Sequence, residues 1–312
     1  NNPIAVDDYN VTSNTSGGTV EANSGLTLNY TGNAGTNPHY AVSGTLVASS
    51  LKVNAKEGST AKDFVLGDGV YKISSGLDSE NSGNFVAVSG SAAPGTKSTL
   101  LLGAVSTNEK GELVTSKGGS ATNIEVQTNG VVGVQSGEWN GKKLKVTDGS
   151  FTIGYKDTTG DKTANAAFNG TELTVAKQNG LTINRGSSAK FETVSGGATG
   201  AIKVDGSLTI TGKEKTNPIS GNNQTGVVVM GANSEVTLGT EAVKKAITAV
   251  SGDTVTFDAD FKENLFDMGK NATFNLDLGV LATDKEKTIT ISKDGLKTLK
   301  DKLFNKGYTS SS

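Results

Sequence analysis

Residues 169–212 read NGTELTVAKQNGLTINRGSSAKFETVSGGATGAIKVDGSLTITG. An apolar–Thr–apolar triplet recurs within them as Leu173-Thr174-Val175, Leu181-Thr182-Ile183 and Leu208-Thr209-Ile210, and turns bearing Gly or Asn lie between. A three-residue strand sends its outer residues to one face and its middle residue to the other. Each triplet therefore reads as two apolar side chains inward and one Thr outward. The same texture continues outside the stretch, in Phe151-Thr152-Ile153, Val236-Thr237-Leu238 and Val255-Thr256-Phe257.

Several separations fall near 20 residues: 151 to 173, 181 to 202, 208 to 227, 236 to 255 and 255 to 274. A period of that size marks a β-solenoid, in which inward residues stack on the same positions of the next coil. The predicted inward set is Phe151, Ile153, Leu173, Val175, Leu181, Ile183, Phe191, Ile202, Val204, Leu208 and Ile210, with Thr152, Thr174, Thr182 and Thr209 outward. Val146-Thr147-Asp148-Gly149-Ser150-Phe151 also fits a hairpin turn and leaves an antiparallel alternative open.

Working outward, residues 1–105 read as short strands. Phe64-Val65-Leu66 and Val70-Tyr71-Lys72-Ile73 flank Gly67-Asp68-Gly69, the pattern of an antiparallel hairpin, so a β-sandwich-like N-terminal domain is expected. Residues 106–123 are polar apart from Leu113-Val114 and read as a linker or long loop, with a boundary near 118. Thr240 can cap a helix over Glu241–Val250 with Val243, Ile247 and Val250 on one face. Ser292 or Asp294 can cap another through Asn305, lined by Leu296, Leu299 and Leu303 and stopped by Gly307. A solenoid end exposes its core and needs a cap, a role these short helices would fill. The predicted organisation is a β-rich domain over 1–118, a solenoid over 119–239 and a solenoid end with capping helices over 240–312.

Composition fits many short strands and tight turns. Hydrophobic residues are 34% and aromatics 5%, while Gly numbers 41 and Pro only 4. Net charge is −2, and Arg185 is the only arginine. Nucleic acid is therefore not an expected partner, since phosphate recognition favours a basic face and the arginine fork. Cysteine is absent, which excludes disulfides and thiolate metal sites. No apolar run reaches membrane-spanning length, so no insertion is expected, and Asn1 in place of Met is what a trimmed product would show.

Little in the sequence suggests catalysis. His39 is the only histidine, in the loop Asn37-Pro38-His39-Tyr40. Asp253, Asp258 and Asp260 lie close together, and strand alternation puts the last two on one face, but carboxylates on a strand ordinarily face solvent. Calcium would find clustered oxygens at Asp7-Asp8, Asp78–Asn84 or Asp157–Asp161. None matches a spaced calcium loop and such clusters ordinarily build turns, so no cofactor is assigned. Asn-x-Ser/Thr sequons at Asn10, Asn14, Asn29, Asn169, Asn223 and Asn271 follow from composition. Gly196-Gly197-Ala198-Thr199-Gly200 lacks the Gly-Lys-Ser/Thr of a phosphate loop.

The Gly-Leu-Thr-Ile and Gly-Ser-Leu-Thr-Ile texture of 169–212, extending roughly over 124–290, resembles the passenger domains of bacterial autotransporter adhesins. The resemblance implies a right-handed parallel β-helix and a non-enzymatic structural or adhesive role at a bacterial exterior, as a passenger, filament or surface-layer subunit. It implies other copies of the chain or a cell-surface glycan or protein receptor as partners. Residues 1–105 depart from it. Asn1-Asn2-Pro3-Ile4-Ala5-Val6-Asp7-Asp8-Tyr9 resembles the opening of cadherin-like modules of large secreted bacterial proteins. Phage tail and virion-surface proteins share the texture, so a fibre, collar or decoration subunit is the alternative. A polysaccharide-processing β-helix enzyme is the second alternative, although the Gly-His-Gly and Arg-x-Lys segments of polygalacturonase-like enzymes are absent.

Overall fold

The computed structural model describes residues 8–11, 19–22, 25–30, 39–55, 63–79, 83–91, 93–214, 216–251, 254–257, 263–277 and 288–291. The chain divides into two compact units, Asn1–Asn169 and Gly170–Ser312. Each is a parallel β-solenoid.

In the first unit three ladders of parallel strands form the coil faces. Ladder A joins residues 39–42, residues 63–66, Asn84–Ala87, Asn123–Val126 and Lys143–Val146. Ladder B joins Thr19–Ala22, residues 44–48, residues 69–73, Ser98–Leu102, Gly130–Val134 and Ser150–Ile153. Ladder C joins Asp8–Val11, Leu26–Tyr30, residues 51–55, residues 76–79, Gly118–Ala121, Gly137–Asn140 and Ala166–Asn169.

The N-terminal region is therefore solenoid, and the β-sandwich expectation is corrected. His39–Ala55 and Asp63–Ser79 are long bent strands, each running along all three faces, and they pair in parallel. Gly67-Asp68-Gly69 turns a corner between ladders A and B and does not reverse the chain. Gly69 has φ 143°, and a Cβ there would lie 1.8 Å from the carbonyl oxygen of Gly44, its partner one coil earlier. A solenoid corner and a hairpin turn both want glycine between β-prone runs, so the local sequence does not separate them. The 146–151 stretch is likewise a corner. The expected boundary at 118 falls inside ladder C, and 106–114 is a hairpin, not an interdomain linker.

In the second unit ladder D joins Glu172–Val175, Thr193–Gly196 and Ile219–Ser220. Ladder E joins Leu181–Ile183, Ile202–Val204, Val228–Met230 and Phe266–Met268. Ladder F joins Ser188–Phe191, Ser207–Ile210, Glu235–Leu238 and Thr273–Asp277, and Thr288–Ile291 lies antiparallel on its outer edge. Leu181 stacks on Ile202 as the period predicts. Leu208 stacks on Val236 rather than on residue 227, and Val236 on Phe274 rather than on residue 255. Thr254–Phe257 instead forms an antiparallel hairpin with Ile247–Ser251.

The helix α1 is Thr240–Ala246, shorter than predicted, and residues 247–251 are strand. The β-branched Ile247, Thr248 and Val250 favour the extended conformation. The predicted C-terminal helix lies outside the described residues.

All eleven residues of the predicted inward set are fully buried. Aromatic side chains stack through the cores, with ring centroids 5.8 Å apart for Phe64–Phe85, 5.6 Å for Phe151–Phe168 and 4.8 Å for Phe266–Phe274. Some polar groups that enter the interior find partners there: the Tyr71 hydroxyl lies 3.0 Å and 3.1 Å from the carbonyl oxygens of Val42 and Gly67 and shares its proton between them, and the Ser98 hydroxyl donates to the carbonyl of Leu66. Meeting such groups removes a penalty of about 1–3 kcal/mol each.

Candidate contact site

In the first unit the corner from ladder B to ladder C changes length from coil to coil. Between Gly130–Val134 and Gly137–Asn140 it is only Gln135-Ser136. In the coils on either side it expands into a hairpin. The first hairpin pairs Ser106–Thr107 with Leu113–Val114, and the second pairs Tyr155–Lys156 with Thr163–Ala164, both antiparallel.

The two turns share one construction. The N–H of Gly111 donates to the Asn108 carbonyl, and that of Gly160 to the Asp157 carbonyl. Gly111 and Gly160 have φ 77° and 82°, the left-handed region that an Asx-x-x-Gly turn reserves for glycine. Asn108 Oδ1 accepts from the N–H groups of Lys110 and Glu112, and Asn108 Nδ2 donates to Glu112 at 2.9 Å. Asp157 Oδ2 accepts the Thr159 hydroxyl at 3.0 Å. Partial burial pushes the Asp157 carboxyl upward. Donors from the Lys162 backbone, the Thr159 hydroxyl and the Gly160 and Asp161 backbones outweigh it and hold the group below the usual aspartate range.

The short corner between the hairpins anchors the first. Gln135 Oε1 accepts from the Val105 N–H, and the Ser136 hydroxyl accepts from the Ser116 N–H while donating to the Gly103 carbonyl. Below it the buried Trp139 donates its indole N–H to the Ser136 carbonyl at 3.0 Å. The Ser116 hydroxyl reaches the Ser74 carbonyl one coil earlier. The hairpins also touch: Lys162 Nζ donates to the Gly111 carbonyl at 2.7 Å, over the intervening coil.

The exposed surface so formed carries Glu109, Lys110, Glu112, Lys117, Lys156, Asp157, Asp161 and Lys162, with charges of both signs interspersed. Val114 adds an apolar contact; it is 48% exposed, and Val47 at 36% is the only comparable large apolar side chain among the described residues. Beside the corner, the outward rows of ladder B read Thr45–Val70–Thr99–Val131–Ser150 and Val47–Lys72–Leu101–Gly133–Thr152, with one charge between them. This surface offers hydrogen bonds, salt-dependent contacts and small apolar patches.

The sequence candidates scatter. His39 opens a strand of ladder A and Asp8 one of ladder C, but their side chains lie outside the described part of the structure, as do Asp7, Asp253, Asp258 and Asp260 altogether. The Asp78–Asn84 cluster divides between faces: Asp78 projects from ladder C, while Asn84 on ladder A donates to Asp63 at 2.9 Å. Asp157–Asp161 builds the turn of the second hairpin. Among the described residues no group of three or more His, Asp or Glu side chains is placed to hold a metal ion. The sequon residue Asn169 donates its amide to Glu138 at 3.1 Å and Asn140 at 3.2 Å. The hairpin pair escaped the sequence reading, although the paired Asx-x-x-Gly turns were a legible signal. Comparison with known families, characterised proteins and solved structures finds no match.

Proposed function

We propose that this chain is a non-enzymatic structural or adhesive protein of a bacterial exterior, acting through repeated polar contacts and self-association. The observation that carries this reading is the paired hairpins, displayed by a solenoid whose short corner clamps the first of them. Coils of stacked parallel strands make a stiff support, and surface loops on rigid scaffolds are where recognition concentrates. Mixed charges over Thr, Ser and Asn suit a glycan or protein surface that is bound by many modest contacts and held by multivalency. The partners on this reading are other copies of the chain and a cell-surface receptor.

The test is binding of the labelled chain to arrays of glycans and extracellular-matrix proteins. A variant with residues 108–112 and 157–162 each replaced by Asn-Gly serves as the comparison. Selective binding that the variant loses, with its melting temperature unchanged, supports the reading. Chain-length reduction of a polysaccharide on the same array would instead favour the enzyme alternative.

A further inference from the structure

The outer edge of the last coil is closed in an unusual way for this molecule. Ladder F grows in parallel from Ser188–Phe191 to Thr273–Asp277, and the next strand in space, Thr288–Ile291, runs the opposite way. The register sets Ile291 opposite Phe274 and Ile289 opposite Leu276, the inward positions of the last parallel strand. The register therefore extends the ladder by one strand, but the direction is reversed.

Direction matters because every coil-to-coil ladder in both units is parallel. A strand edge is a template for another chain. The outer edge of Thr273–Asp277 would accept a parallel strand of a second copy in the way each coil accepts the next. In the first coil of the first unit, Thr19–Ala22 pairs only with residues 45–48, and Asp8–Val11 only with 27–30, among the described residues. A head-to-tail contact between copies builds a ring where its rotation closes and an open filament where it does not.

We propose that Thr288–Ile291 is a displaceable edge guard, whose removal opens the last coil to the first coil of a second copy of this chain. In the intact chain the guard blocks end-to-end growth, which follows only when the guard is lifted. The inference refines the self-association in the proposed function without depending on the hairpin receptor site.

The test uses the full chain carrying both Ile289→Pro and Thr290→Pro, so that at least one ladder donor is lost whichever residue points to the neighbouring strand. Sedimentation and electron microscopy read the outcome. The expected result is a rise of roughly twofold or more in sedimentation coefficient, with unbranched filaments and β-type circular dichroism retained. Unmodified chain is then added in excess. It can join the open end but keeps its own guard, so it should terminate growth and shorten the filaments to small oligomers. Aggregates that excess unmodified chain does not shorten overturn the proposal, and so does a variant that stays monomeric with its β signal intact. If the double variant loses its β signal, deletion of residues 288–312 replaces it under the same expectations. Loss of the coils in both variants also overturns the proposal, because a guard is dispensable to the coils it covers.

Discussion

The two units treat surplus residues in opposite ways. In the first, the extra residues at the corner from ladder B to ladder C leave the coil as polar hairpins, and Val114 is the most exposed large apolar side chain among the described residues. In the second, the surplus after Glu235–Leu238 folds back. α1 buries Ala242, Val243 and Ala246, and the Ala242 N–H donates to the Thr211 carbonyl. Gly212 makes this approach feasible, since a Cβ there would lie 2.1 Å from the Ala242 nitrogen. The difference follows from composition: STNEKGELV has almost nothing to bury, whereas TEAVKKA presents an apolar stripe. An insertion without apolar periodicity is displayed, and one with it closes the core.

The sharpest way to break this comparison is to place the same charge in both insertions. Val243→Asp buries a carboxylate without a partner and should destabilise the chain by about 4 kcal/mol or more. Val114→Asp sits in solvent and should stay within about 0.5 kcal/mol. Urea melts followed by circular dichroism read both. Comparable losses would mean that the first hairpin is part of the folded core.

A second pair of variants tests the inward register. Leu208 is fully buried between Ala189 and Val236 on ladder F, so Leu208→Ala should cost about 3 kcal/mol. Its neighbour Thr209 faces outward, and Thr209→Ala should cost less than about 0.5 kcal/mol. Equal effects would contradict the alternation on which the solenoid rests, since a one-residue slip exchanges the two faces.

Glycines extend the contrast to the backbone. Gly118 enters ladder C with φ 95°, and a Cβ there would lie 2.0 Å from the carbonyl oxygen of Glu138 in the next coil. Gly118→Ala should cost about 2–3 kcal/mol in the melt. Gly111, at the hairpin tip, meets only Lys162 Nζ at 3.8 Å, so Gly111→Ala should cost about 1 kcal/mol from its φ alone. A larger loss at Gly111 than at Gly118 would show that the hairpins, not the coil corners, limit stability.

Much of the fold was legible because alternation within a triplet is a local property. Leu173, Leu181 and Leu208 announce an inward face whatever they pair with. Pairing partners are not local. Val255-Thr256-Phe257 has the texture of a coil strand yet folds into an antiparallel hairpin, and the corner at residues 67–69 has the sequence of a hairpin turn. The contact site was the least legible part. Leu113-Val114 between polar runs looks like a linker, and only the ladder strands before and after it show that the chain leaves and returns to the same corner.

The smallest expected effect separates the two hairpins from each other. The first is headed by Asn108, whose Oδ1 acceptor does not titrate, and the second by Asp157, whose carboxyl is held below its ordinary value of about 3.9. A carboxyl depressed in the folded state contributes stability that is present above its unfolded value and is lost as pH falls through its folded one. Acidification below about pH 4 should therefore loosen the second turn. Because the group is near the surface, the change should remain local and leave the global melt unmoved. Amide exchange should speed up at Asp161 and Lys162, after allowance for intrinsic rates, while the amides of Lys110 and Glu112 keep their protection. Asp157→Asn, which copies the first hairpin's acceptor into the second, should abolish the difference. Parallel loss of protection at all four amides would show instead that the Lys162–Gly111 contact makes the hairpins open as one unit, and the distinction between their turns would fall.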